Sequence, residues 1–257
     1  EIGVRLVGSE MCIRDRLSRT EGLIGKKAVD KLKNSHVTVC GCGGVGSYVI
    51  EGLVRAGIGN ITIIDNDVID ISNINRQLMA DFTVIGQPKV EVERKRLLKI
   101  NPELNINIFQ EFIDTSNFSK FVCNYSEDTL NHKITTDYII DAIDSVSSKL
   151  DIIEYATQNN IPIISSMGTG NKLNPTKFEL SDISKTSVCP LAKVIRKELR
   201  NRGINHLKVL YSKETPNRCD ECSLPASTPA SISFVSSVAG LIIAGEAVSY
   251  THLTLPT

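Results

Sequence analysis

Apolar and polar positions along the chain follow two periods in turn. The run His36-Val37-Thr38-Val39-Cys40 is strand-like. It breaks into glycines and leads into residues 45–56, where Val45, Val49, Leu53 and Ala56 fall on one helical face. Gly57-Ile58-Gly59-Asn60 stops that helix, and Ile61-Thr62-Ile63-Ile64 follows as a second strand. Upstream, residues 17–32 carry a loose helical stripe (Leu23, Ile24, Ala28, Val29, Leu32). Residues 66–88 have no clean period and are rich in Asp and Asn, so a long loop is expected there, where long loops are usually functional. Pro88 opens a helix through Ile100, closed by Asn101-Pro102. A strand over 106–112, a short helix over 115–122 and a polar loop over 123–136 come next. Tyr138-Ile139-Ile140 then reads as a buried strand, 147–158 as a helix and 161–164 as another strand.

Strands alternating with helices at this rhythm predict an α/β fold: a Rossmann-like, mostly parallel sheet with helices on both faces. Residues 17–165 form the nucleotide-binding core of this reading. From 166 to 248 the pattern changes to short strands, a basic helix and loops, predicting a C-terminal α+β elaboration of the same domain that faces substrate. No repeat of solenoid period is present.

The turn after the first strand carries the chemistry. Gly41, Gly43 and Gly46 have G-x-G-x-x-G spacing, with Gly44 between them. Such spacing lets the chain turn tightly, brings bare amides against a phosphate and packs the helix close to the sheet. The anion then sits at a helix N-terminus, where unpaired N–H groups and the macrodipole favour negative charge. Asp65, at the end of the second strand, stands where a ribose-binding carboxylate is expected. In such a sheet ligands gather beyond the strand C-termini, where Gly41, Asp65 and Asp144 all fall.

Composition narrows the partners. The 257 residues carry no formal net charge, so a polyanion must meet a local basic patch rather than a global field. Seven scattered cysteines form no disulfide framework and fit a reducing cytoplasm. The stretches 7–16 (VGSEMCIRDR) and 248–257 (VSYTHLTLPT) resemble peptides translated from sequencing-library adapters. Residues 1–16 and 249–257 are therefore expected to be non-native and are excluded from fold reasoning, the natural protein beginning near Leu17.

Arg76, in Asn73-Ile74-Asn75-Arg76-Gln77, and Lys89, after Gly86-Gln87-Pro88, face the phosphate site from a loop and a helix start. An Arg grips two phosphate oxygens at once, and a Lys offers a compact charge. Asp65, Asp67, Asp141 and Asp144 supply carboxylates at two strand ends. Mg²⁺ prefers phosphate oxygens and water to many protein ligands, so one carboxylate suffices and Asp144 is the candidate; a helix N-cap before Val146 is its alternative. Asp141 reads as structural.

Together these strings (GxGGVGS at 41–47, DxD at 65–67, NxNRQ at 73–77, GQPKV at 86–90, INP at 100–102, DAIDS at 141–145) resemble the ubiquitin-activating-type adenylyltransferase superfamily. Leu17-Ser18-Arg19, the IISSMG of 163–168, the DISKT of 182–186 and the FVSSVAGL of 234–241 are similar to its tRNA threonylcarbamoyladenosine dehydratase branch. The resemblance implies ATP and Mg²⁺ as cofactors and adenylation of the threonylcarbamoyl carboxylate on the adenosine beside a tRNA anticodon. An intramolecular nitrogen or oxygen then displaces AMP. By motif position, Arg76 and Lys89 stabilise charge at the α-phosphate, Asp144 holds Mg²⁺ and Asp65 the ribose. Gly41, Gly43, Gly44, Gly46, Asp67, Asn73, Asn75 and Gln77 complete the nucleotide site. Arg19 reaches the nucleotide of a neighbouring subunit in a homodimer, and a sulfur-relay protein is a possible partner.

Other readings stay open at this stage. The chain could adenylate the C-terminal glycine of a small sulfur-carrier protein, transfer hydride with a nicotinamide cofactor, or bind nucleotide as a silent scaffold. NxNRQ and GQPK have no purpose in a dehydrogenase. Cys219 and Cys222 form one C-x-x-C pair, where structural zinc needs four ligands. Cys189 precedes a helix start, and Cys40 and Cys42 read as packing residues. Helix 191–202, with Lys193, Arg196, Lys197, Arg200 and Arg202 near Lys185, is either a tRNA-phosphate surface or an ordinary wet face. The apolar segment 231–248 is short for a bilayer span, and burial against the sheet or a second subunit is expected.

Overall fold

The computed structural model describes residues 16–124, 133–219, 225 and 228–254. Two short helices come first, α1 (Ser18–Ile24) and α2 (Lys26–Asn34). The single stripe expected over 17–32 is broken between them by Gly25, whose φ of +85° suits glycine and not a helix. Then follow β1 (His36–Cys40), α3 (Gly46–Ala56), β2 (Asn60–Ile64), α4 (Lys89–Ile100), β3 (Asn105–Phe109) and α5 (Ser119–Val122). The expected polar loop at 123–136 instead contains two two-residue strands, β4 (Cys123–Asn124) and β5 (Lys133–Ile134), paired antiparallel. The remainder is β6 (Tyr138–Asp141), α6 (Val146–Gln158), β7 (Ile163–Ser166), β8 (Phe178–Asp182), α7 (Pro190–Asn201), β9 (Lys208–Ser212) and α8 (Ser233–Thr254).

Seven strands form one sheet in the order β3-β2-β1-β6-β7-β9-β8, parallel throughout except for β8, which runs antiparallel along β9. The C-terminal elaboration is thus built onto the same sheet: β9 continues it beside β7 and β8 closes the edge. Alternate residues of β1 serve opposite faces, as the strand period requires. Val37 and Val39 pack with α3, α4 and α8 through Val49, Leu53, Val90, Leu97 and Ala239. Cys40, with Ile64 and Ile139, packs under α5 and α6 through Phe118, Phe121 and Ile152. A third cluster joins α6 to α7 through Leu150, Ile153, Ile195 and Leu199.

The order reverses at β1. From there β2 and β3 extend one way and β6 and β7 the other, which opens a crevice at the C-terminal ends of β1 and β6. Helix α8 is long and apolar enough to cross a membrane by length and composition. Here it lies on α3, so closely that a Cβ at Gly240 would come within 2.5 Å of the Val45 carbonyl oxygen. Its last turns run into the segment expected to be non-native, whose Tyr250 packs against Tyr138 of the sheet at 5.1 Å between ring centroids.

Candidate active site

The glycine turn is shaped by two close approaches. Gly41 has φ +95°, and a Cβ there would lie 2.9 Å from the Ala142 backbone. A Cβ on Gly46 would overlap the Gly41 carbonyl oxygen. Only glycine lets β1, β6 and α3 meet at this distance. Helix α3 has no side-chain cap, and among the described residues the amides of Gly43, Gly44 and Val45 donate to no protein acceptor. They are the orphan donors of a helix start, open to an anion. Cys42 donates its amide to Asp65 Oδ2 at 2.6 Å, which ties the turn to the end of β2.

The long loop returns on itself to deliver the cations. Ile69 and Gly86–Gln87 exchange backbone hydrogen bonds, and Lys89 donates its amide to the Asp67 carbonyl. Lys89 is thereby set at the first turn of α4 with its ammonium 2.7 Å from Asp67 and 3.9 Å from Asp65, buried on the crevice wall. Burial raises the Asp65 carboxyl above its ordinary range, against the opposing pull of Lys89 and the Cys42 and Asp67 amides. Arg76 lies half-buried on the same wall, its Nη1 bonded to the Ser72 carbonyl and Asn75 Oδ1.

These residues line a cavity of about 860 Å³, together with Gly41, Gly43, Gly44, Asn73, Gln77 and Asp144. Asp144 is exposed at its rim. The N-cap of α6 is Ser145, whose hydroxyl accepts from the Ser148 amide, so the capping role open to Asp144 in the sequence is already filled. Three of the expected residues do not reach the cavity wall. Gly46 acts beneath the turn. Asn75 spans from Arg76 to the Ser231 carbonyl. Arg19 is exposed on α1. Asn73 lines the wall and also closes a capping box with Asp70. Gln77 lines it with a buried Oε1 that has no partner.

Several residues that shape the site carried no sequence signal. Lys149 forms a fully buried pair at 2.9 Å with Asp141, the carboxylate expected to be structural, and also donates to the Ser166 carbonyl at 2.8 Å. Ser236 of α8 abuts Gly44, so the last helix closes the turn from above. A second lobe of the cavity is walled by Gly168, Lys172, Cys189, Leu191, Thr228 and Pro229, brought together from separate segments. Cys40 and Cys42 are buried, and burial pushes both thiols up, consistent with packing roles. Cys219 is exposed and free, Cys222 lies outside the described residues, and no cluster of metal-binding side chains occurs among the described residues.

On chain order, switch point and glycine turn, the molecule is a nucleotide-binding α/β protein of Rossmann type. The chain belongs to the ThiF family, whose model matches residues 17–253. It is 40% identical over 246 residues to a tRNA threonylcarbamoyladenosine dehydratase of Bacillus subtilis, covering 91% of this chain and 93% of that protein. The Escherichia coli tRNA N6-threonylcarbamoyladenosine dehydratase, solved in complex with ATP, superposes with a TM-score of 0.82. The two are 30% identical over 95% of this chain and 96% of that one. An adenylyltransferase and sulfurtransferase of Vanderwaltozyma polyspora is more distant, 33% identical over 64% of this chain and 34% of its own length.

Proposed function

We propose that the protein is an ATP-dependent tRNA threonylcarbamoyladenosine dehydratase that activates the threonyl carboxylate as an adenylate and closes it into a ring. The observation that carries this reading is a single cavity with a glycine turn and two cations at one end and room for an acid at the other. The turn fits a nucleotide: its amides are open, and the space a Cβ would fill is kept clear by Gly43. The rim fits Mg²⁺ bound mainly through phosphate oxygens, with the exposed Asp144 carboxylate on the cavity wall to hold it.

A carboxylate is a poor electrophile until one oxygen becomes a good leaving group. Its oxygen attacks the α-phosphorus and pyrophosphate departs, while charge collects on the α-phosphate. Arg76 and Lys89 stabilise that charge. Lys89 is neutralised by Asp67 in the structure, and a triphosphate competes for it. Asp65 takes the ribose hydroxyls. The carbamoyl nitrogen or oxygen of the same molecule then attacks the acyl carbon, AMP leaves, and the net result is loss of one water. Because both partners are held in one molecule, proximity supplies much of the rate.

The exposed side of α7 is the approach for tRNA. Lys193, Lys197 and Arg200 stand in one stripe that starts at the cavity wall, with Lys185 nearby. A homodimer brings Arg19 to the partner's nucleotide, and Leu23 on the same helix, 85% exposed, gives that face an apolar contact. The free cysteines among the described residues suit the cytoplasm, where the substrate resides.

The test is incubation with ATP, Mg²⁺ and threonylcarbamoyl-modified tRNA, followed by assay for AMP and for a nucleoside lighter by one water. Arg76→Ala or Lys89→Ala is expected to lower AMP release by about 10²–10³-fold in proteins whose circular dichroism shows the wild-type fold. AMP release with a carrier protein and not with tRNA, or unchanged turnover in either variant, overturns the reading.

A further inference from the structure

Three lysines are buried among the described residues, and their surroundings differ. Lys89 is paired with Asp67, and Lys149 with the fully buried Asp141. Lys172 is 4% exposed and lines the second lobe of the cavity, yet its ammonium meets only a carbonyl, that of Glu214 at 2.9 Å. The Glu214 carboxylate is turned elsewhere, accepting from the amides of Leu173 and Asn174 at 2.9 and 2.8 Å. No ion pair is formed by Lys172 among the described residues. An ammonium has three donors, so two remain for the cavity.

Two further features favour an anion there. Helix α7 starts beside Lys172 at Cys189, with no side-chain cap on its first amides. The loop that carries Lys172 is fixed in place: Asn171, at φ +57°, accepts from Ala230 and Asn217 and donates its amide to the Ala230 carbonyl. Burial holds the Lys172 ammonium below the ordinary lysine range, with Cys189 and Glu214 pulling the other way. A buried cation on a rigid loop without a counterion is stabilised when a ligand supplies one.

We propose that Lys172, backed by the start of α7, is the receptor for the substrate's carboxylate, holding the acid that becomes adenylated. This assignment rests on the dehydratase reading above. The subsite is part of the wall of the same cavity that the glycine turn lines. One carboxylate oxygen is held by Lys172, which leaves the other for the α-phosphate.

The test uses equilibrium binding with a non-hydrolysable ATP analogue and Mg²⁺ present. The ligands are an anticodon stem-loop carrying threonylcarbamoyladenosine and the same stem-loop with that carboxylate methyl-esterified. Wild type is expected to prefer the acid by about tenfold or more, as for a charged hydrogen-bonded pair. Lys172→Met reduces the preference to within about twofold by losing acid affinity alone, and Lys172→Arg restores part of it. Ester affinity is unchanged in both variants and reports an intact fold. A Lys172→Met protein that keeps the wild-type preference overturns the assignment while leaving the dehydratase reading standing. A wild-type protein that binds neither stem-loop yet binds the ATP analogue overturns the substrate reading itself.

Discussion

Glu93 and Lys149 are both buried on helices that border the crevice, and their surroundings differ. Lys149 is paired with Asp141. Glu93 is fully buried on α4 with neither carboxyl oxygen partnered among the described residues; burial and the neighbouring Glu51 push it up to about 8, against the pull of Arg96. A carboxyl whose folded value is raised binds a proton that the unfolded chain, ionising near 4.5, has lost. Stability is therefore expected to fall by about 1.4 kcal/mol per pH unit as pH rises through this window, and to level off above it. Glu93→Gln removes that component. The difference between the two proteins in urea midpoint grows from pH 5 to pH 8 in favour of the variant, and a pH-independent difference contradicts the buried-acid account. The glycines at 41 and 46 and the cations at 76 and 89 were legible in the sequence because their motifs are local. Glu93, Lys149 and Lys172 were not, because nothing in the spacing of a charged residue says whether its helix or loop faces a core.

Helix α7 shows the same sorting on a larger scale. Its apolar stripe through Ile195 and Leu199 is buried. Of the basic residues counted toward a tRNA surface, two are committed elsewhere: Arg196 to Thr186 and the Ile183 carbonyl, and Arg202 to Glu154 and Asp151. Lys193, Lys197 and Arg200 remain exposed. Replacing these three with Glu is expected to weaken tRNA binding about equally across sequences and to flatten its salt dependence by roughly two to three in log–log slope. A slope equal to wild type, read from filter binding over a salt series, removes α7 from the interface. The other elements were recoverable where a run exceeded one period. β1, β2 and β6 stood out as apolar strands, whereas two-residue strands such as β4 and β5 are too short to show alternation. The break at Gly25 depends on a backbone angle that composition does not reveal.

For the whole molecule, the fold class was readable from the order of strands and helices, since a parallel sheet with a glycine turn leaves few topologies. The shape of the cavity was not, because its second lobe is assembled from segments near 168, 189 and 229 that share no pattern. Arg19 is exposed on α1 and off the cavity wall, which makes the proposed dimer testable by complementation. Arg19→Ala and Lys89→Ala proteins are each expected to be inactive alone. Mixed after unfolding together, they should regain roughly a quarter of wild-type AMP release, as random pairing of a two-fold dimer gives one intact site in half of the molecules. No recovery means that Arg19 serves its own subunit or none.

The contact of Ser236 with Gly44 has a consequence for synthesis. A ribosome that has released the chain only through β9 has made every strand of the sheet and the entire glycine turn, but not the helix that roofs it. The nucleotide crevice is therefore completed last, and a polypeptide stopped before Ser233 is expected to hold ATP more weakly than the full chain, which equilibrium binding to the two proteins checks.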